Sequence, residues 1–163
     1  MGFVREAMNP VVLSIAPERA TVEAARAMAE RRVHHLLVAR RGDPLGVICT
    51  CDVKAAVLGS SVREAMSRGV ITIGSGDTID GAVDLMLRER IGFLPVVEEG
   101  AVVGVITRGD LARALGQESE RRLMLACKWC QSHRHVSFHP KYDAPLCADC
   151  VADEDDLNQG EGD

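Results

Sequence analysis

The chain has 163 residues, 47% of them hydrophobic and only five of them aromatic, enough to bury the core of one domain or two small ones and too few for a large multidomain enzyme. So few rings exclude a platform that stacks one base per aromatic side chain, the usual device for single-stranded nucleic acid. The formal charge of −5 belongs to the end of the chain: six of the 24 acidic residues fall in 151–163, which holds no base, and the rest sets 18 acids against 19 bases, leaving no basic field for a duplex.

No segment reaches the roughly 18 to 20 apolar residues of a membrane span, and Met1 to Glu6 has no apolar signal core. The expectation is a soluble, cytoplasmic chain without membrane contact, in which paired cysteines point to metal rather than to disulfides.

In chain order, a short helical turn (Val4 to Met8) leads into an extended segment, Val11 to Ile15. A helix follows whose apolar positions Val22, Ala25, Met28 and Ala29 keep three-to-four spacing. Then come a strand at Leu36 to Val38, a turn at Gly42-Asp43-Pro44, a strand from Leu45 to Cys49 and a helix opening near Asp52. Advancing by 58 residues repeats the whole series without a gap. Val4-Arg5-Glu6-Ala7-Met8 falls on Val62-Arg63-Glu64-Ala65-Met66, and Gly46-Val47-Ile48 falls on Gly104-Val105-Ile106. The second copy has its helix at Ile79, Ala82, Val83 and Met86, its strands at Leu94 to Val97 and Val102 to Thr107 with a turn at Glu99-Gly100, and its closing helix at Asp110. A fixed offset over this length marks stacked supersecondary units. Each unit is a β-α-β-β-α, too thin to cover its own sheet, so two packed sheet to sheet give an α/β (α+β) pair.

After Leu115-Gly116 the repeat stops. Residues 119–126 read as a helical connector to Cys127-Lys128-Trp129-Cys130, and Cys147-Ala148-Asp149-Cys150 follows after a further stretch. Two Cys-x-x-Cys pairs at this separation give four thiolates for a structural zinc, each pair forming one knuckle; iron is the competing metal for the same donors. A module at 127–151 with so few apolar residues depends on the metal for its fold. Four cysteines close the coordination sphere, which excludes a catalytic metal with an open position. His133, His135 and His139 lie between the pairs and read as loop residues, in a surface suited to an unidentified protein partner. The tail, 152–163, reads as a solvated acidic end.

The run Gly92-Phe93-Leu94-Pro95-Val96 followed by Gly104-Val105-Ile106-Thr107-Arg108-Gly109-Asp110-Leu111 resembles a CBS domain, and the two copies, 1–59 and 60–118, resemble the tandem pair called a Bateman module. The C-terminal module resembles a zinc ribbon or knuckle. The first resemblance implies a pseudo-twofold pair that forms homodimers, binds an adenosine-containing ligand (AMP, ADP, ATP, S-adenosylmethionine or NAD(H)) between the copies, and regulates rather than catalyses. It implies that Thr107 and Asp110 meet the ligand, that the extended segment with Val70, Ile71 and Ile73 flanks the adenine beside Pro95, and that Arg108 reaches phosphate. Physically, a strand-end hydroxyl and a carboxylate at the next helix start converge where α/β units bind ligands, the carboxylate accepting from ribose hydroxyls and the helix amides attracting phosphate. Asp110 equally reads as a helix cap.

In the first copy Cys49 replaces the strand-end threonine and Leu37 replaces the proline, so a second site on Asp52 lacks a hydroxyl and the two clefts should be unequal. His34 and His35 stand where basic groups meet phosphate, or are surface histidines with no ligand. Cys49-Thr50-Cys51 lacks the two further ligands a zinc would need; Cys49 reads as a small buried hydrophobe, or as a redox-responsive thiol beside the cleft that would need a lowered pKa. Among other function classes, a zinc-ribbon regulator on nucleic acid is opposed by the neutral body and acidic tail, and an adaptor without a small ligand stays open. No enzyme is expected, for want of a nucleophile with its base, an open metal or a phosphate loop.

Overall fold

The computed structural model describes residues 2–116, 136–139, 144–147 and 151. The first copy comprises α1 (Val4–Ala7), β1 (Ser14–Ile15), α2 (Thr21–Arg31), β2 (His35–Arg40), β3 (Asp43–Cys49) and α3 (Thr50–Ala55). The second comprises α4 (Val62–Ala65), β4 (Ser67–Arg68), β5 (Ile73–Gly74), α5 (Ile79–Glu89), β6 (Phe93–Glu98), β7 (Ala101–Thr107) and α6 (Arg108–Leu115). A further antiparallel hairpin, β8 (Val136–His139) with β9 (Ala144–Cys147), follows the first cysteine pair in sequence and ends on the first cysteine of the second. Cys147 ends β9; Cys127, Cys130 and Cys150, the connector and the tail lie outside the described residues.

Local chemistry repeats with the sequence. The Glu23 carboxylate accepts from the Ala20 amide at 2.9 Å to open α2, and Thr78 Oγ1 accepts from the Gly81 amide at 3.1 Å to open α5, each satisfying an amide the helix leaves unpaired. β2 and β6 turn back through two-residue loops, Arg41-Gly42 and Glu99-Gly100, with both residues of each at positive φ. This is the type I′ geometry that matches strand twist, and it sits one residue earlier in the first copy than the Gly42-Asp43-Pro44 turn expected. β1 pairs with β2 in parallel and β2 with β3 antiparallel, as do β5, β6 and β7.

The helix stripe expected on α2 is rotated. Thr21, Ala24 and Met28 are buried, whereas Val22 is 61% exposed. Spacing alone fits both faces, and the polar Thr21 disguised the buried one.

The copies exchange their leading segments. Val4 joins the core of the second copy with Ile79, Met86, Leu94 and Ile106, and Val62 joins that of the first with Met28, Leu36, Val38 and Ile48. Backbone bonds hold each exchange: Val4 and Arg5 amides donate to Asp77 and Ser75 carbonyls, and Val62 and Arg63 amides donate to Arg19 and Pro17 carbonyls. β4 pairs antiparallel with β3, and Asn9 bridges Val105 in the same way. The repeat boundary in sequence near residue 60 is therefore crossed in space by both leading segments. Strand alternation gives Leu36, Val38, Leu94 and Val96 to the helix side. Leu37, Phe93 and Val105 are also buried but fall outside those two cores, on the opposite sheet faces.

Candidate functional site

Two clefts open between the copies. The larger, about 680 Å³, takes Asn9, Val11, Leu13, Arg31, Arg32, His34 and His35 from the first copy and Phe93, Val105, Thr107, Asp110 and Arg113 from the second. The smaller, about 100 Å³, takes His35, Cys49 and Asp52 from the first copy and Ile71, Arg90 and Phe93 from the second. The two differ in size, and only the larger falls in the roughly 300 to 1,000 Å³ range of small-molecule sites.

The structure brings Thr107, Asp110, His34 and His35 to one cleft and puts Asp52 in the other. The flanking segments are exchanged relative to expectation. Asn9 to Leu13 borders the cleft of Asp110, and Ile71 borders that of Asp52, because each leading segment docks on the other copy's sheet. Val70 lines neither cleft, Ile73 belongs to the core, and Pro95 is buried opposite Val105 within the β6–β7 ladder. These three are corrected as lining residues.

At the start of α6, Asp110 Oδ2 accepts from the Thr107 amide at 2.8 Å and from Thr107 Oγ1 at 2.6 Å. Arg113 donates to Oδ1. Asp110 is thus a helix cap that also borders the cleft. Arg108 is turned inward instead of toward a phosphate. It is 8% exposed, its Nε donates to the Ile91 carbonyl at 3.0 Å and a terminal nitrogen to the Met86 carbonyl at 3.5 Å. Burial lowers its pKa to about 10, and the guanidinium adds a donor to the Ile91 carbonyl, just past α5, and to the Met86 carbonyl, which also accepts from the Ile91 amide.

In the first copy the Cys49 amide donates to Asp52 Oδ2 at 2.9 Å. Cys51 is the buried cysteine, and Cys49, expected as a buried small hydrophobe, is half-buried. The Cys49 thiol is pushed far above its ordinary range, first by a hydrogen bond with Cys51, then by burial and by the Asp52 carboxylate. A reactive thiol needs the opposite shift.

Sequence reasoning missed Arg31, Arg32 and Arg90 at the cleft borders. The signal was present in the repeat, which sets Arg32 and Arg90 at equivalent positions 58 apart; both carry positive φ, 54° and 55°. No group of His, Cys, Asp and Glu among the described residues is arranged to hold a metal, and no helix among them is long and apolar enough to cross a membrane.

The chain is 32% identical over 120 residues to inosine-5′-monophosphate dehydrogenase of Thermoplasma acidophilum, covering 70% of this chain and 25% of that protein. It is 33% identical over 119 residues to homoserine O-acetyltransferase of Methanosphaerula palustris, covering 71% of this chain and 24% of that one. The chain thus spans about a quarter of the length of these relatives. The crystal structure of the CBS domain pair of protein MJ0100 in complex with 5′-methylthioadenosine and S-adenosyl-L-methionine superposes with a TM-score of 0.67 at 25% identity, covering 71% of this chain and 97% of that one. Residues 4–59 and 62–117 each match the CBS domain, and the chain belongs to the CBS domain family, with two copies in tandem.

Proposed function

We propose that the chain is a non-enzymatic regulatory sensor that binds an adenosine-containing nucleotide in the larger cleft. The observation carrying this reading is that one nucleotide-sized cleft draws Thr107 and Asp110 from one copy and His34 and His35 from the other. A ligand spanning both copies contacts them differently in different relative geometries, and differential affinity is what shifts a conformational equilibrium. The adenosyl ligands in the MJ0100 structure support the ligand class. The apolar wall of Val11, Leu13 and Phe93 suits a base, and the hydroxyl and carboxylate of Thr107 and Asp110 suit ribose and phosphate.

The four cysteines Cys127, Cys130, Cys147 and Cys150 bind a structural zinc in a ribbon-like module that passes the signal to a protein partner. The spacing of the pairs and the β8–β9 hairpin ending at Cys147 support this, because a hairpin is a common carrier of one thiolate pair. The chain pairs with a second copy, as the family resemblance implies.

Native mass spectrometry of the purified full chain, followed by isothermal titration with AMP, ATP, S-adenosylmethionine and NADH, tests the proposal. One nucleotide per chain and one zinc per chain are expected, in a dimer. No binding of any of the four compounds overturns the sensor, and iron in place of zinc overturns the metal assignment.

A further inference from the structure

We infer that the groove between α2 and α3 is a docking surface for the chain's own acidic tail, with Leu157 against its apolar wall and Asp153 to Asp156 along its basic rim. The groove measures about 380 Å³. Ala25, Ala29 and Val53 wall it, and Arg32, His34 and Lys54 border it with no acid among the lining residues. All three bases are exposed.

The groove arises where the two copies differ. In the second copy Val83, Leu87 and Leu111 stand at the positions of Ala25, Ala29 and Val53. Arg108 stands at that of Thr50 and runs inward to the Ile91 and Met86 carbonyls. Thr50 is too short to cross the same space, so the first copy keeps an apolar hollow that the second closes from within. Covering such surface with an apolar side chain is favourable, and three bases without an acid select an occupant of negative charge. The chain carries one. Residues 152–163 hold six acids, no base and one large apolar side chain, Leu157, directly after Asp153-Glu154-Asp155-Asp156. Arg113, three residues before Gly116, borders the larger cleft together with Arg32, Val33 and His34, so the chain leaves α6 on the side of the groove. Residues 117–152, at up to about 3.3 Å each, reach it with length to spare, and the tether raises the effective concentration of the tail. Arg32, Val33 and His34 line both groove and cleft, so the docked tail sets negative charge beside the cleft and opposes an anionic ligand there; this consequence rests on the nucleotide reading above, and the docking does not.

The test is photo-cross-linking of the full chain with p-benzoylphenylalanine in place of Leu157, followed by peptide mapping. Cross-links should fall on residues 25–34 and 50–54 of the same chain. Their yield should drop at least about threefold in the Arg32→Glu/Lys54→Glu variant and in 1 M salt. Adding Asp155→Lys/Asp156→Lys to that variant should restore it. Both rim positions are exposed, and a thermal melt confirms that the variants fold. Cross-links scattered over the surface, or a yield that survives the rim substitutions, overturn the inference. So does a product of twice the chain mass, which puts the tail of a second copy in the groove. Calorimetry with ATP tests the consequence: Asp153→Asn/Glu154→Gln/Asp155→Asn/Asp156→Asn should bind it a few-fold tighter than the native chain. Equal affinity overturns the opposition and leaves the docking standing, and no ATP binding by either chain counts against the nucleotide reading alone.

Discussion

His35 and Phe93 occupy equivalent positions in the two copies, 58 residues apart, and stack ring on ring with centroids 5.4 Å apart and planes inclined by 16°. The pseudo-twofold relation therefore brings two rings together, and both border both clefts. A ligand that displaces either ring in the larger cleft reshapes the smaller one. Phe93 is 7% exposed, so Phe93→Ala should cost about 3 to 5 kcal/mol by leaving a cavity, with roughly 0.5 to 1.5 of this from the stack itself. His35→Phe keeps a ring pair and should change stability by less than about 1.5 kcal/mol. Urea unfolding of both variants decides the matter; equal losses would mean that the rings are not coupled.

The exchange of leading segments depends on two equivalent glycines. A β-carbon on Gly46 would stand 2.4 Å from the Ser67 carbonyl oxygen, and one on Gly104 would stand 2.9 Å from the Asn9 carbonyl oxygen and 2.8 Å from Met8 Sδ. Backbone cannot yield as a side-chain tip can. Each alanine substitution should cost about 1 to 3 kcal/mol by overpacking. Gly104→Ala should in addition weaken nucleotide binding, because Asn9 to Leu13 borders the larger cleft. Denaturant melts and calorimetry on the two variants check this, and equal ligand affinity in both would detach the segment from the site.

The repeat, its strands and the convergence of Thr107 with Asp110 were legible because a constant offset and strand-end chemistry are local properties. The exchange was not, because nothing in Val4 or Val62 tells which copy's core it fills; identical VREAM segments suit either. For the same reason the sequence alone puts the Val70 to Ile73 segment beside Asp110, whereas Asn9 to Leu13 borders that cleft. The inward turn of Arg108 was hidden too. An arginine after a strand-end threonine reads as a phosphate ligand unless the Ile91 and Met86 carbonyls, 17 and 22 residues earlier in sequence, are known to lie beside it.

The raised pKa of Cys49 has a reactivity and a stability consequence. The thiol stays protonated well above its ordinary value of 9.0, so iodoacetamide at pH 8 should leave it unmodified in the folded chain. A folded-state pKa above the unfolded value contributes stability that is complete below about pH 9 and declines as pH rises past it. Peptide mapping after alkylation and melts between pH 7 and 10 test both; rapid alkylation of Cys49 would refute the assignment. Cys49→Thr restores the hydroxyl that Thr107 gives to Asp110 and should stabilise α3 by about 0.5 to 1 kcal/mol.

Arg108 supports the fold from within. Arg108→Met keeps the buried length and removes the donors, leaving the Ile91 and Met86 carbonyls without the guanidinium. The loss should be about 2 to 3 kcal/mol, the scale of a buried hydrogen bond to a charged group. A loss below about 0.5 kcal/mol in urea unfolding would show that water replaces the arginine without cost.

Asp110 cannot serve the helix and a ribose with the same oxygen. Oδ2 is taken twice by Thr107, at 2.8 and 2.6 Å, so the ligand must use Oδ1, which Arg113 now covers. The Arg113 side chain is 75% exposed, and an exposed pair contributes about 0 to 1 kcal/mol. Arg113→Ala should therefore leave the melting temperature nearly unchanged and uncover an acceptor for vicinal hydroxyls. Adenosine, which has no phosphate to miss the lost charge, should bind a few-fold tighter to the variant, whereas Asp110→Ala should lose that binding and about 1 kcal/mol of cap stability together. If adenosine binds Arg113→Ala no better than the native chain, the ribose lies away from Oδ1 and Asp110 serves the helix alone.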